Sequence, residues 1–245
     1  MSSNRHANPN ISPRAFSDSL LAVLPDGRFA SGSEDTTICL WDLATGSIRR
    51  FEGYTDCISC LAVLPDGRLA LGCDDETIRI HDLATGNEEL LKGHTGTITC
   101  LAVLPDGRLA SGSWDETFRI WDLITGSSEV FEVPPAIYDD SVCGYSVGTI
   151  EVEQFALHLV ALPDCSLAFL ASMDDAVIVY NIATGNRKEL PGRYACLAAL
   201  PDGRLALGDD DGTICVYDST TGEREFLEGH VGGISCLALQ RNMSI

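Results

Sequence analysis

The sequence predicts an all-β fold, a ring of small four-stranded antiparallel sheets. Three observations carry that prediction. The string Leu-Ala-Val-Leu-Pro-Asp-Gly-Arg occurs at Leu21 to Arg28, Leu61 to Arg68 and Leu101 to Arg108, a period of 40 residues. Residues 61–87 and 101–127 match at 20 of 27 positions. Between the turn residues the apolar positions alternate or form short runs, and no stretch has helical spacing. Self-similarity at such a period marks a repeat architecture, in which each unit buries its faces against its neighbours.

Weaker copies of the string surround Pro163 and Pro201, so the Pro-Asp step falls at 25, 65, 105, 163 and 201. A second landmark, Trp41-Asp42, His81-Asp82, Trp121-Asp122, Tyr180-Asn181 and Tyr217-Asp218, follows each proline by 16 or 17 residues. Gly53-Tyr54, Gly93-His94, Gly192-Arg193 and Gly229-His230 form a third. In the second unit, Ile58 to Leu64 is apolar on both faces, as an innermost strand between neighbours should be. Pro-Asp-Gly then turns the chain, with proline fixing φ and glycine taking the corner that a side chain would obstruct. Arg68 to Gly72 is the second strand, and Glu76 to Asp82 the third, with Ile78 and Ile80 pointing inward. Ala84-Thr85-Gly86 turns into a more polar fourth strand.

Gly-His, Pro-Asp-Gly, Ser-Gly-Ser-x-Asp and Trp-Asp, in this order over residues 18–239, resemble the marks of the WD-repeat β-propeller family. The resemblance implies about five four-stranded blades plus one strand of a sixth at Ser235 to Leu239. It also implies a non-enzymatic scaffold or adaptor that binds other proteins. A buried hydrogen-bond set of His, Ser, Asp and Trp is implied too, complete only in the third unit as His94, Ser111, Asp115 and Trp121. The first unit keeps Ser31, Asp35 and Trp41, with Arg14 where the His belongs. The second has Tyr54, Leu71 and His81 in place of three members, so Asp75 should matter less than Asp115. The fourth and fifth keep Asp174 and Asp211 and have tyrosine for tryptophan.

From Trp121 to Pro163 is 42 residues, against 24 from Trp41 to Pro65, which places an insert at about 134–152. Polar tails are expected at 1–17 and 240–245, where Gln240-Arg-Asn-Met stands in place of a sixth Pro-Asp-Gly. Either the ring is small and irregular, or the chain is a piece of a larger ring that a partner completes. Open blade edges would also permit self-association.

The chain has 16 Lys+Arg against 36 Asp+Glu, a net charge of −20. A pI near 4.4 argues against nucleic acid as a partner. No run of 18 apolar residues and no signal core occur, so neither a membrane span nor secretion is expected. Ten cysteines in such a chain point to free thiols in the cytoplasm.

Three motifs suggest chemistry and are outweighed. Gly144-Tyr-Ser146-Val-Gly148 matches a hydrolase nucleophile elbow, with His158 and Asp164 downstream, but a helix should follow the serine and none is predicted. Cys57 and Cys60 stand three apart on a strand and point to opposite faces, which does not suit one metal ion. Asp209-Asp210-Asp211-Gly212 with Asp218 resembles a calcium loop, but Leu207 stands where the first ligand should be. No cofactor, metal site or catalytic residue is therefore expected.

In a four-stranded meander, successive turns alternate between two ends of the ring. The Pro-Asp-Gly and Ala-Thr-Gly turns share one end, with Arg28, Arg68, Arg108 and Arg204. The second-to-third turns and the inter-unit links share the other. Asp35, Asp75, Asp115, Asp174 and Asp211 there should turn inward. Asp74, Glu76, Glu116, Asp139, Asp140, Asp175, Asp209 and Asp210 remain as candidates to bind a basic protein segment.

Overall fold

The computed structural model describes residues 20–237 except 34, 55, 134–135, 140–148, 153–155, 172–175 and 236. The first sheet holds β1 (Leu21–Val23), β2 (Phe29–Gly32), β3 (Ile38–Asp42) and β4 (Ser47–Phe51). The second holds β5 (Ile58–Val63), β6 (Leu69–Cys73), β7 (Thr77–His81) and β8 (Glu88–Lys92). The third holds β9 (Ile98–Val103), β10 (Leu109–Ser113), β11 (Thr117–Trp121) and β12 (Ser128–Glu132). A hairpin of β13 (Ala136–Asp139) and β14 (Thr149–Val152) comes next and lies within the long third spacing. The fourth sheet holds β15 (Ala156–Ala161), β16 (Ser166–Ala171), β17 (Ala176–Asn181) and β18 (Arg187–Pro191). The fifth holds β19 (Tyr194–Ala199), β20 (Leu205–Asp209), β21 (Thr213–Tyr217) and β22 (Arg224–Glu228). Each four-stranded sheet is an antiparallel meander in chain order.

The repeated turn residues each have a job. In the second unit Leu64 N–H donates to Arg68 O and Gly67 N–H to Leu64 O, both at 2.9 Å, with Gly67 at φ +86°. Asp66 caps the corner by accepting from Arg68 N–H at 3.0 Å. The Asp of the Trp-Asp step caps the other turn. Asp82 accepts from Ala84 and Thr85 N–H at 2.8 and 3.2 Å, and Asn181 serves Thr184 in the fourth unit at 2.9 Å. The hydrogen bond from the Thr85 side chain and those from the two N–H groups hold the Asp82 carboxyl below its ordinary range.

Four apolar clusters fill the spaces between successive sheets. The first joins Leu24, Ile38 and Leu40 of sheet one to Ile58, Leu69 and Leu71 of sheet two. The others join sheets two and three through Ile78, Leu91, Ile98 and Trp121, three and four through Phe118 and Phe169, and four and five through Leu190 and Leu205. Close approach depends on a glycine at the end of the second strand. A Cβ on Gly32, Gly72 or Gly208 would stand 2.8, 2.7 or 2.8 Å from the Cγ2 of Ile58, Ile98 or Ile234, the first inner-strand isoleucine of the next unit. The inner strands β1, β5, β9, β15 and β19 pack in that order, and an apolar axial cavity of about 640 Å³ is lined from all five sheets and by Leu237.

Candidate functional site

The third unit assembles its four polar residues into one buried chain. Trp121 donates its indole N–H to Ser111 Oγ at 2.8 Å, Ser111 Oγ lies 2.7 Å from His94 Nε2, and His94 Nδ1 lies 2.8 Å from Asp115 Oδ2. With Trp121 as donor, the Ser111 hydroxyl gives its proton to Nε2, and His94 gives its Nδ1 proton to the carboxylate. Burial lowers the His94 pKa and outweighs the pull of Asp115, so the imidazole is neutral in an ion-pair-like contact. Burial pushes Asp115 up, but bonds from the Thr117 hydroxyl, Thr95 N–H and His94 hold it below the ordinary range. The set locks the link at Thr95 onto the turn at Asp115, and Ser111, fully buried, is closed to substrate.

The other units keep parts of this set. Trp41 still donates to Ser31 at 2.8 Å. In the second unit Tyr54 OH bonds His81 Nδ1 at 3.1 Å, so the two replacements meet each other. Asp75, expected to matter less than Asp115, keeps partners of its own. It accepts from Thr77 N–H at 3.1 Å and pairs with Arg79 at 2.7 Å, a largely buried contact. Burial pushes its pKa up, and the bonds from Thr77 and Arg79 bring it net downward. Tyr217 fills the tryptophan position in the fifth unit and is buried, with no hydrogen-bond partner for its hydroxyl among the described residues.

One expectation is overturned. Asp209, not Asp211, caps the turn of the fifth unit, accepting from Asp211 N–H at 3.0 Å and Thr213 N–H at 2.8 Å, while Asp211 is exposed. In the first and third units a serine at the corresponding position, Ser33 or Ser113, accepts the first of these bonds and the aspartate the second. The longer Asp209 carboxylate makes both, so Asp211 is released.

The second-to-third turns and the links share one end. Trp114 N–H donates to Thr97 O at 3.0 Å, Asp74 N–H to Cys57 O at 3.1 Å and Ile234 N–H to Asp209 O at 2.9 Å. Asp74, Glu76 and Asp210 are exposed there, Glu116 is half-buried, and the indole of Trp114 lies exposed beside Asp115. Glu76 and Glu116 take φ +68° and +65°, the corner that Gly212 takes at +88°. Asp139 lies on β13, while Asp140, Asp174, Asp175 and Ser146 fall outside the described residues. The strand β14 begins directly after Gly148, where a nucleophile elbow needs a helix. At the opposite end a cleft between sheets one and two brings Pro25, Asp26, Pro65 and Asp66 together with Asp82 and Ala84. Each arginine there is held by its own turn aspartate, Arg28 by Asp26, Arg68 by Asp66, Arg108 by Asp106 and Arg204 by Asp202, at 2.7–2.8 Å from Nε. Cys60, Cys100 and Cys196 are buried small apolar groups, and no metal-holding group of three or more His, Cys, Asp or Glu occurs among the described residues.

Meandering four-stranded blades stacked about an apolar axis, tied by repeated turn and tryptophan bonds, define a β-propeller architecture. The chain belongs to the WD40 family, WD domain, G-beta repeat, whose model matches residues 17–42, 45–82, 87–122 and 189–218, over half of the sequence. Two similar solved structures are those of U3-55K and of the RRP9 WD40 repeats, each at 20% identity with a TM-score of 0.67 over 83% of this chain. The chain spans 62% and 61% of their lengths, so the likeness is one of fold. No curated protein matches the sequence. The fourth blade escapes the family model, yet β15–β18 form the same meander.

Proposed function

We propose that the protein is a docking scaffold whose acid-bearing end holds a Lys/Arg-rich segment of a partner protein. Membership of a family of protein-interaction platforms supports the scaffold. The observation that carries the choice of end is Trp114, exposed among the acids of the second-to-third turns. The other end bears acids too, with Asp82, Asp122 and Asp218 tied into its turns. Arg28, Arg68, Arg108 and Arg204 are each paired with an aspartate two residues before, whereas Asp74, Glu76, Asp210 and Asp211 stand exposed at the second-to-third turns. Single-sign potential around a ring draws and orients a cationic partner. Trp114, exposed among these acids, offers a ring face to a lysine stem or guanidinium. A reducing compartment such as the cytoplasm suits Cys60 and Cys73, buried thiols whose pKa burial pushes up.

The reading is tested by titrating the full chain with a labelled Lys/Arg-rich peptide at rising salt. Affinity should fall steeply with salt, and Asp210→Lys or Glu76→Lys should weaken it more than Asp66→Lys. Binding that ignores salt, or that tolerates these reversals equally, would defeat it.

A further inference from the structure

The Pro-Asp-Gly end follows a pairing rule that the first blade breaks. On the outer strands, the residue paired with the one before the Trp position is Arg49, Glu89, Glu129, Lys188 or Glu225, in chain order. Glu89 and Glu225 each pair with the turn arginine of their own blade, Arg68 at 3.4 Å and Arg204 at 3.7 Å. Arg49 reverses that charge. In the first blade two guanidinium groups, Arg28 and Arg49, therefore line one cleft.

This cleft lies between blades one and two, measures about 680 Å³ and takes Arg68 as a third guanidinium. Its carboxylates, Asp26, Asp66 and Asp82, are already engaged. Asp26 and Asp66 hold Arg28 and Arg68 at 2.8 and 2.7 Å from Nε, and Asp82 accepts from its own turn N–H groups. The contacts of Arg49 among the described residues are a bond from Nη1 to Leu83 O at 3.1 Å and the Phe51 ring, its centroid 4.6 Å from Cζ. They hold the guanidinium across the blade junction and leave Nε and Nη2 for a ligand. A guanidinium offers a carboxylate two parallel donors, and one fixed in advance costs little to order. Pro25, Pro65 and Leu83 add apolar wall. The strand β1 enters from the far end, where Leu20 O accepts from Gly32 N–H at 2.9 Å.

We infer that this cleft is a binding site for a monocarboxylate carried on an apolar body, with Arg49 as its anchor. The three positive and three negative side chains lining the cleft cancel, and the chain carries −20 overall, so a planar single charge suits it better than a dianion. The site stands at the end away from Trp114 and does not rest on the scaffold reading.

The test titrates the full chain with benzoate and with N-acetyl-leucine, followed by ligand-observed NMR. Both acids should bind at one site and weaken as salt rises. Benzamide, which keeps the shape of benzoate and lacks its charge, should bind weaker by about tenfold or more. Arg49→Gln should weaken both acids by about tenfold, and Arg49→Lys, which keeps the charge without the fork, should weaken them too. Arg49 is exposed, and Arg108→Gln at the matching turn of blade three is the control that should leave binding unchanged. Tighter benzoate would mark a free acid as the ligand and tighter N-acetyl-leucine the end of a peptide chain, and either supports the site. Benzamide as tight as benzoate, acids that do not bind or that ignore Arg49, or tighter binding of inorganic phosphate would overturn the proposal. Glu76→Lys, which tests the acid end, should leave the dependence on Arg49 intact.

Discussion

Trp41 and Trp121 make the same bond, an indole N–H to a strand-two serine at 2.8 Å, yet Trp121 is 1% exposed and Trp41 38%. The difference is the preceding blade. Trp121 packs into the cluster with Ile78, Ile80 and Leu91 of blade two, and Trp41 has no such neighbour among the described residues. Removing Trp121 therefore opens a core cavity, and Trp121→Ala should cost about 3–5 kcal/mol. Trp41→Ala should cost clearly less, because much of that ring already meets solvent. Urea unfolding of the two variants checks the ranking, and equal losses would show that the first blade's face is covered.

The repeat, the turns and the buried tryptophan set were legible because each rests on a local rule. Proline and glycine fix a corner wherever they fall, and period-two apolar residues pick the strands. What escaped depended on side-chain reach. Asp209 displaced Asp211 because a carboxylate at a serine position spans two N–H groups, and the only signal was an acid where Ser33 and Ser113 stand. Asp75 found Arg79 because Tyr54 replaced the histidine, and the guanidinium also lies over the Tyr54 ring at 6.0 Å. The spacing from Gly32, Gly72 and Gly208 to an isoleucine one unit on was present in the sequence, but only packing gives it meaning.

The second unit's ion pair changes an energetic ranking. Asp75→Ala removes the carboxylate at 2.7 Å from a largely buried guanidinium, which keeps Glu88 at 3.5 Å, and the acceptor of the Thr77 N–H, so it should destabilise by about 1–3 kcal/mol. That is comparable with His94→Ala, which takes one partner each from Ser111 and Asp115. A double-mutant cycle of Asp75→Ala and Arg79→Met should give a clear coupling energy. Additive losses would mean the contact does not stabilise the blade.

The His94 set should also give stability a slope with pH. Both His94 and Asp115 have folded pKa values below their ordinary ones, so the unfolded chain binds more protons and stability rises with pH. The His94 contribution is complete above about 6.5, the ordinary histidine value, and is lost as pH falls through the lower folded value. The Asp115 contribution follows the same sign from about 3.9 downward. Between pH 7.5 and 5.5 the native chain should therefore lose more stability than His94→Gln, narrowing the gap between them. A gap that widens on acidification would mean that the folded imidazole is charged.

The close glycine contact makes its own prediction. A Cβ at Gly72 would run into Cys60 Sγ on its own blade and lie 2.7 Å from Ile98 Cγ2 and 2.9 Å from its Cβ, on the neighbouring blade's inner strand. Gly72→Ala should cost about 1–3 kcal/mol by overpacking, despite alanine's better strand entropy. Shortening the neighbour with Ile98→Ala should make the second substitution less costly than on the native background. Strict additivity of the two would mean that the Cys60 contact within the blade, not the Ile98 contact between blades, carries the cost.

Cys165 stands at φ +62° in the corner that Gly27, Gly67, Gly107 and Gly203 occupy at +86° to +89°. At Gly27, Gly67 and Gly107 a Cβ would meet nothing within 4 Å, so the preference there is one of backbone alone. A left-handed residue with a side chain carries a penalty of about 1–2 kcal/mol. Glycine gives back part of that through the greater freedom of its unfolded chain, about 0.5–1 kcal/mol. Cys165→Gly should thus raise stability by up to about 1 kcal/mol, seen as a higher urea midpoint at an unchanged slope. Cys165→Ala keeps the Cβ and should give little or none of the gain. If alanine stabilised as much as glycine, the thiol and not the backbone would be the source of strain in the fourth blade's corner.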